Sequence, residues 1–308
     1  MWDASIENHS RYIDKNTGCF DNKYTEQRSC PVCSLSNEHI LFDKEGGVYV
    51  KCNKCQMVYL NPVFKDEYLE DYYRNNHSVQ SEVVENDSDF YSRLYNQGLD
   101  SVDKLIDENS SILDIGCSAG VFLDIAKSRG WSTFGIELNE TEFLHCKNKG
   151  HVVYNTGLEH VELSTRFDVI SLWDVFEHIK DGRRYLSDLK PHLNSDGVVF
   201  LQIPSADALA ARILQESCNM FDGLEHVNLY SLKAIKKLAD DCGFDLLSVT
   251  SVISEMGVID NYLNYDSPYF GETDSVGVIS SLVDEEKLLD DLLGYKLQIV
   301  LKPRQLTA

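Results

Sequence analysis

The sequence predicts an α/β protein in which one doubly wound sheet of seven strands follows a small cysteine-bearing module. Three observations predict it. From Ser111 onward, short apolar runs alternate with helical stretches, the pattern of repeated βαβ units around a parallel sheet. The first of those runs ends in a tight turn with glycines at Gly116 and Gly120, and a helix follows. Upstream, two Cys-x-x-Cys pairs, Cys30/Cys33 and Cys52/Cys55, are spaced as a metal-binding ribbon rather than as a disulfide framework.

The strands are expected at Ser111–Ile115, Ser132–Glu137, His151–Asn155, Phe167–Leu172, Gly197–Ile203, Asp245–Val252 and Lys296–Lys302. Helices are expected at Val121–Ser128, Thr141–Lys149, Arg183–His192, Asp207–Glu216 and Leu232–Cys242, the last stopped by Gly243 as a C-terminal glycine cap. Residues 1–28 read as a polar tail, 29–60 as the zinc-ribbon module, 61–98 as a helical linker and 99–308 as the large domain. The linker carries Tyr68, Tyr72, Tyr73, Tyr91 and Tyr95, for which packing between the two modules is a better expectation than ligand contact. A Tyr-, Gly-, Asp- and Ser-rich insertion occupies about 254–281.

Charge and hydropathy narrow the partners. The chain of 308 residues has 28 Lys and Arg against 50 Asp and Glu, a net charge of -22, which opposes binding to nucleic acid. No apolar run is long enough to cross a bilayer, and Met1–Ser5 does not begin a secretory leader, so the expected location is the cytoplasm. Nine cysteines in a reducing compartment are thiols or metal ligands.

The turn is the most informative segment. In Leu113-Asp114-Ile115-Gly116-Cys117-Ser118-Ala119-Gly120, Gly116 lets backbone approach a ligand and Gly120 lets the helix begin close against the sheet. It departs from the dinucleotide pattern and from the phosphate-cradling pattern, because no lysine closes it. Gly135-Ile136-Glu137 ends the next strand, and a carboxylate there can accept hydrogen bonds from both hydroxyls of a ribose.

With these residues in view, the region from about 90 to 308 resembles the class I S-adenosylmethionine-dependent methyltransferases, a Rossmann-like fold. The resemblance extends through Phe167-Asp168-Val169-Ile170, Trp173-Asp174-Val175-Phe176-Glu177-His178-Ile179, Leu193-Asn194-Ser195-Asp196-Gly197 and Ile203-Pro204-Ser205. It implies that S-adenosylmethionine is the cofactor and that the last strand is antiparallel. It further implies that Asp114 positions the methionine end, and that Gly116, Cys117, Ser118 and Gly120 border the cofactor. Glu137 and Leu138 would meet the ribose, Gly157 and Leu158 the adenine, and Trp173 and Asp174 the floor of the site.

Asp174, Glu177 and His178 follow the fourth strand, and on a helix they would share one face. The Glu-His pair resembles one in quinone-biosynthesis O-methyltransferases, which implies a possible magnesium ion there. His226, in the loop Gly223–Ser231, could meet His178 across an acceptor pocket. Either histidine is a candidate general base, with a structural hydrogen-bonding role as the alternative.

The four cysteines, with eighteen residues between the two pairs, suit a closed tetrahedral zinc site of structural type. A four-cysteine module in front of this kind of domain resembles bacterial enzymes that methylate sugars or surface-glycan precursors. A sugar, nucleotide-sugar or glycan precursor is therefore the leading expected acceptor, methylated on oxygen or carbon, with the module as lid or docking element. A quinone-like or other small metabolite is the second expectation, and a non-catalytic cofactor-binding adaptor the third.

Overall fold

The computed structural model describes residues 10–69, 88–106, 110–264 and 282–305. In chain order, its N-terminal part holds β1 (Thr25–Glu26), β2 (Glu38–Lys44), β3 (Gly47–Cys52), β4 (Val58–Leu60) and β5 (Val63–Phe64). Next come α1 (Ser88–Asp103), β6 (Ser111–Ile115), α2 (Val121–Ser128), β7 (Ser132–Ile136), α3 (Glu140–Asn148) and β8 (Val152–Tyr154). The second half runs β9 (Phe167–Trp173), α4 (Gly182–Leu189), β10 (Leu193–Pro204), α5 (Leu209–Leu214), β11 (Asn228–Leu229) and α6 (Leu232–Asp241). It ends with β12 (Phe244–Val252), α7 (Met256–Asn264), α8 (Glu285–Asp290) and β13 (Lys296–Pro303).

All seven expected strands join one sheet, in the order β12-β13-β10-β9-β6-β7-β8. Strand β13 runs antiparallel to both its neighbours, and the other adjacent pairs are parallel. The chain moves outward one way from β6 and the other way from β9. The crevice at the carboxyl ends of these two strands is the switch point at which open α/β sheets bind ligands.

Local chemistry explains the helix boundaries. Ser231 accepts from the Ala234 amide at 3.1 Å, Asn139 from Glu142 at 3.1 Å and Asp181 from Arg184 at 3.0 Å, each satisfying a first-turn donor that the helix leaves unpaired. Strands β9 and β10 bury nearly every residue because both faces of the sheet are covered by helices.

Three expectations about organisation change. Residues 10–28 are not a tail: β1 pairs with β5, and Tyr12 and Phe20 are buried with Phe64, Leu69 and Leu224. Apolar side chains separated by more than 40 residues make that cluster, which no local period signals. Helix α1 is not a linker, since Leu94, Leu99 and Val102 pack on Phe122, Trp173 and Phe200 of the large domain. The ribbon module, expected at 29–60, shares its sheet with a strand from beyond those bounds. Its four-stranded sheet has the order β11-β4-β3-β2, and β11 comes from the large domain. Residues 1–9 of the expected tail, 70–87 of the expected linker (Tyr72 and Tyr73 included) and 265–281 of the expected insertion lie outside the described residues.

Candidate active site

A cavity of about 670 Å³ opens at the switch point, and the turn after β6 forms one end of it. Gly116 lies at φ 75°, and a Cβ there would stand 2.6 Å from Val175 Cγ2, so only glycine fits. Ser118 also has positive φ, at 46°. The Glu137 carboxylate steadies this strained turn by accepting from the Ser118 amide at 2.8 Å and the Asn139 amide at 2.7 Å. Those two bonds leave lone pairs on both oxygens for a ligand. Burial raises the Glu137 pKa, and the two amides oppose the rise. Beneath the turn, Asp114 is buried and accepts from Ser171 Oγ at 2.6 Å; burial pushes its carboxyl up to about 8.

Asp114, Gly116, Cys117, Ser118, Glu137, Leu138, Gly157, Leu158, Trp173 and Asp174 all line the cavity. Gly120 does not. It caps α2 at φ 79°, where a Cβ would meet Cys146 Sγ at 2.5 Å, so its role is close packing of helix against helix. Tyr91 and Tyr95 of α1 do line the cavity, against the expectation that they only pack between modules. Tyr95 stands edge-on to Trp173 at 4.8 Å, and Tyr68 instead packs edge-on to Tyr24 at 5.1 Å in the N-terminal cluster.

The segment after β9 is not a regular helix. Asp174 turns the chain at φ 53°, and Phe176–His178 form one tight turn, so Asp174 leaves the face shared by Glu177 and His178. Asp174 instead pairs with Lys296 Nζ at 2.6 Å and accepts from Gln202 Nε2 at 3.0 Å. Burial alone would lower the Lys296 pKa, but Asp174 holds it raised. Lys296, from the start of β13, and Gln202, from β10, are site residues that sequence reasoning missed. No motif marks a lysine 122 residues from its carboxylate.

Glu177, His178 and His226 do converge. The imidazoles of His178 and His226 meet edge to face with centroids 4.9 Å apart, and among the described residues neither buried Glu177 carboxylate oxygen has a hydrogen-bond partner. Burial, with Asp174 nearby, pushes the Glu177 carboxyl up to about 8. Burial and the neighbouring His226 lower His178 to about 4. His226 goes the other way: burial would lower its pKa, but Asp222 and Glu177 raise it. Asp222 also accepts from the amides of Leu224, Glu225 and His226, which shapes the loop.

Donor atoms of Glu177, His178 and His226 lie within 4.8 Å of one another. Two imidazoles and one carboxylate are a poor set for magnesium, which takes oxygen ligands in near-ideal octahedral geometry. The residues do not fit that ion.

The four cysteine sulfurs also converge. Cys30 and Cys55 Sγ are 3.4 Å apart, Cys33 and Cys52 Sγ 3.5 Å, and all four lie within 4.8 Å of one another. Tetrahedral thiolates around zinc stand ~3.8 Å apart, from a Zn–S bond of about 2.3 Å. The donor set therefore fits zinc and leaves no open position. Cys30, Cys52 and Cys55 are buried, and Cys19, Cys117, Cys146, Cys218 and Cys242 are free thiols, as expected.

Residues 88–249, just over half of the chain, match the family model described as "Methyltransferase domain". Over 98 residues the chain is 28% identical to a ubiquinone biosynthesis O-methyltransferase of Rhodopseudomonas palustris, covering 30% of this chain and 39% of that protein. Over 104 residues it is 28% identical to the Haemophilus ducreyi protein of the same name, covering 29% and 43%. The chain thus matches about two fifths of the length of these curated relatives. Its fold is similar to that of the plantazolicin methyltransferase BpumL in complex with SAH, with TM-score 0.52, 15% identity and coverage of 77% and 94%. It is similar also to a chain in the complex between the Haloferax volcanii Trm112 methyltransferase activator and a putative methyltransferase, with TM-score 0.51, 12% identity and coverage of 77% and 98%.

Proposed function

Because the chain belongs to the methyltransferase-domain family, we propose that it transfers the methyl group of S-adenosylmethionine to a hydroxyl-rich small molecule, a sugar or sugar-bearing glycan precursor. One observation carries the acceptor reading. The cavity lining includes Glu177, His178, His226, Glu225, Asn219 and Lys296, groups that hydrogen-bond hydroxyls.

The cofactor supplies a methyl group already activated on a sulfonium, so the chain needs chiefly to align and deprotonate. The glycine turn and Glu137 support the nucleoside end, as the cradle at Gly116 fits a ligand that backbone must approach. In the neutral His226 ring, Nδ1 donates to the Met220 carbonyl at 2.7 Å, and Nε2 keeps its lone pair. His226 would accordingly be the general base, with Nε2 placed to take the proton of the acceptor hydroxyl. His178, held neutral by burial, and Glu177, whose carboxyl oxygens make no hydrogen bond among the described residues, orient the acceptor by hydrogen bonds. The four cysteines would hold a zinc ion of structural type.

A second reading, O-methylation of a quinone-like phenol, is favoured by the similarity to ubiquinone biosynthesis O-methyltransferases. Incubation with labelled S-adenosylmethionine and panels of sugars, nucleotide-sugars and catechols separates the two. Label in the sugars supports the first reading, label only in the catechols replaces it with the second, and absence of S-adenosylhomocysteine binding in calorimetry overturns both.

A further inference from the structure

The two imidazoles approach each other from segments about 50 residues apart, and neither segment is held there by the seven-stranded sheet alone. Each is tied instead to the ribbon. Strand β11, which begins two residues after His226, is the outer strand of the ribbon sheet, with Asn228 paired to Tyr59 and Leu229 to Val58. Tyr49 of β3 donates to the His226 carbonyl at 3.2 Å and accepts from the Gly223 amide at 3.3 Å. Backbone meets backbone at Gly47, where a Cβ would lie 2.1 Å from the Gly223 carbonyl oxygen.

Arg28, two residues before Cys30, gathers these ties. Its guanidinium donates through Nη2 to the Val227 carbonyl at 2.6 Å and Asn228 Oδ1 at 3.1 Å, through Nη1 to the Lys180 carbonyl at 3.3 Å, and through Nε to the Leu60 carbonyl at 3.0 Å. Val227 follows His226, Lys180 lies two residues after His178, and Leu60 belongs to the ribbon. Asn228 Nδ2 closes the loop by donating to the Ile179 carbonyl at 2.7 Å. Among the described residues, none of the Arg28 hydrogen bonds goes to a carboxylate. A planar fork of five donors is the group that can serve three separated carbonyls at once, whereas an ammonium reaches fewer from one point.

We infer that Arg28 is a positioning residue, which with the four-cysteine ribbon sets the distance between His178 and His226 and so couples the cysteine site to the methyl-transfer step rather than to cofactor binding. The inference rests on the proposed methyltransferase reading. It makes the ribbon an internal strut of the acceptor site, in place of the lid or docking element that its composition suggests. No ribbon residue needs to touch the cofactor for this to hold. Loss of the cysteine site would release β3 and β4, then β11, then the His226 loop.

The test uses the full zinc-loaded chain with selectively 13C-labelled histidine, and S-adenosylhomocysteine as the probe. In the wild type, a ring-to-ring NOE between His178 and His226 is expected. In Arg28→Met and in Cys55→Ser it is expected to be lost, with the S-adenosylhomocysteine dissociation constant changed less than about three-fold. Arg28→Lys, which keeps the charge but fewer reachable carbonyls, is expected to weaken the NOE and serves as the deciding variant if Arg28→Met does not fold. An unchanged NOE in Arg28→Met, or in Arg28→Lys where that variant decides, overturns the inference. So does loss of S-adenosylhomocysteine affinity in step with the NOE, because Arg28 would then support the whole domain. Failure of the wild type to bind S-adenosylhomocysteine would instead overturn the methyltransferase reading, so the two failures are distinguishable.

Discussion

His226 donates its Nδ1 proton to the Met220 carbonyl at 2.7 Å. That bond fixes the neutral tautomer with Nε2 as the lone-pair nitrogen, while Asp222, with Oδ2 3.5 Å from Nδ1, favours the charged form that a base must pass through. For His178, burial and the neighbouring His226 outweigh the opposing pull of Asp222 and Asp174 and hold it well below the usual imidazole range, at about 4. Sequence alone left the two histidines equivalent.

His226→Ala is therefore expected to lower kcat by about 10²- to 10⁴-fold, the range supplied by a positioned general base. His178→Ala is expected to cost less in kcat and more in KM, because a neutral imidazole orients the acceptor. Binding of S-adenosylhomocysteine by calorimetry should be unchanged in both. Equal turnover in wild type and His226→Ala would remove the base from His226.

The pH dependence follows from the direction of the His226 shift. Its pKa lies above the ordinary imidazole value, so the ring is protonated, and unable to accept a proton, over a wider range of low pH. kcat/KM should fall as pH drops through a value above 6.5 and rise as pH increases through it. Asp222→Asn keeps one oxygen acceptor for the loop amides but removes the raising charge, so the acidic limb should move to lower pH. A limb that stays in place in Asp222→Asn would assign it to another group.

Two residues of the turn region should separate by measurement. Glu137→Ala removes a carboxylate that faces the cavity, and loss of charge-assisted hydrogen bonds worth about 1.5–3 kcal/mol corresponds to roughly 10- to 150-fold weaker S-adenosylhomocysteine binding. Gly120→Ala places a Cβ against Cys146 in a left-handed conformation, outside the cavity lining. It should lower the melting temperature while changing S-adenosylhomocysteine affinity little. A large affinity loss in Gly120→Ala without loss of stability would return that glycine to the cofactor border.

Single Cys→Ser changes at Cys30, Cys33, Cys52 or Cys55 should each abolish stoichiometric zinc, read by metal analysis, and lower the melting temperature. Metal binding and folding share one free energy when the site forms only in the folded chain. Serine at Cys218, a buried thiol outside the cluster, should leave zinc content unchanged. Full zinc retention in Cys55→Ser would show that the four sulfurs are not one site.

What the sequence determined by itself was local. The period of apolar residues placed all seven strands of the large sheet to within a few residues, because burial on both faces leaves its mark on each strand separately. The glycine turn, Glu137 and the cysteine pairs were legible for the same reason, since each works through neighbours in the chain or a fixed short spacing. Only the tertiary structure decided the rest. The ion pair of Lys296 with Asp174, the packing of residues 10–28, the place of Tyr91 and Tyr95 in the cavity and the capture of β11 by the ribbon join residues far apart in the chain. Asp174 left its expected helical face because the chain turns there through positive φ. The two histidines differ for the same physical reason: their proton affinities are set by Met220, Asp222, Glu177 and by each other, which are brought together by folding and have no signature in the order of residues.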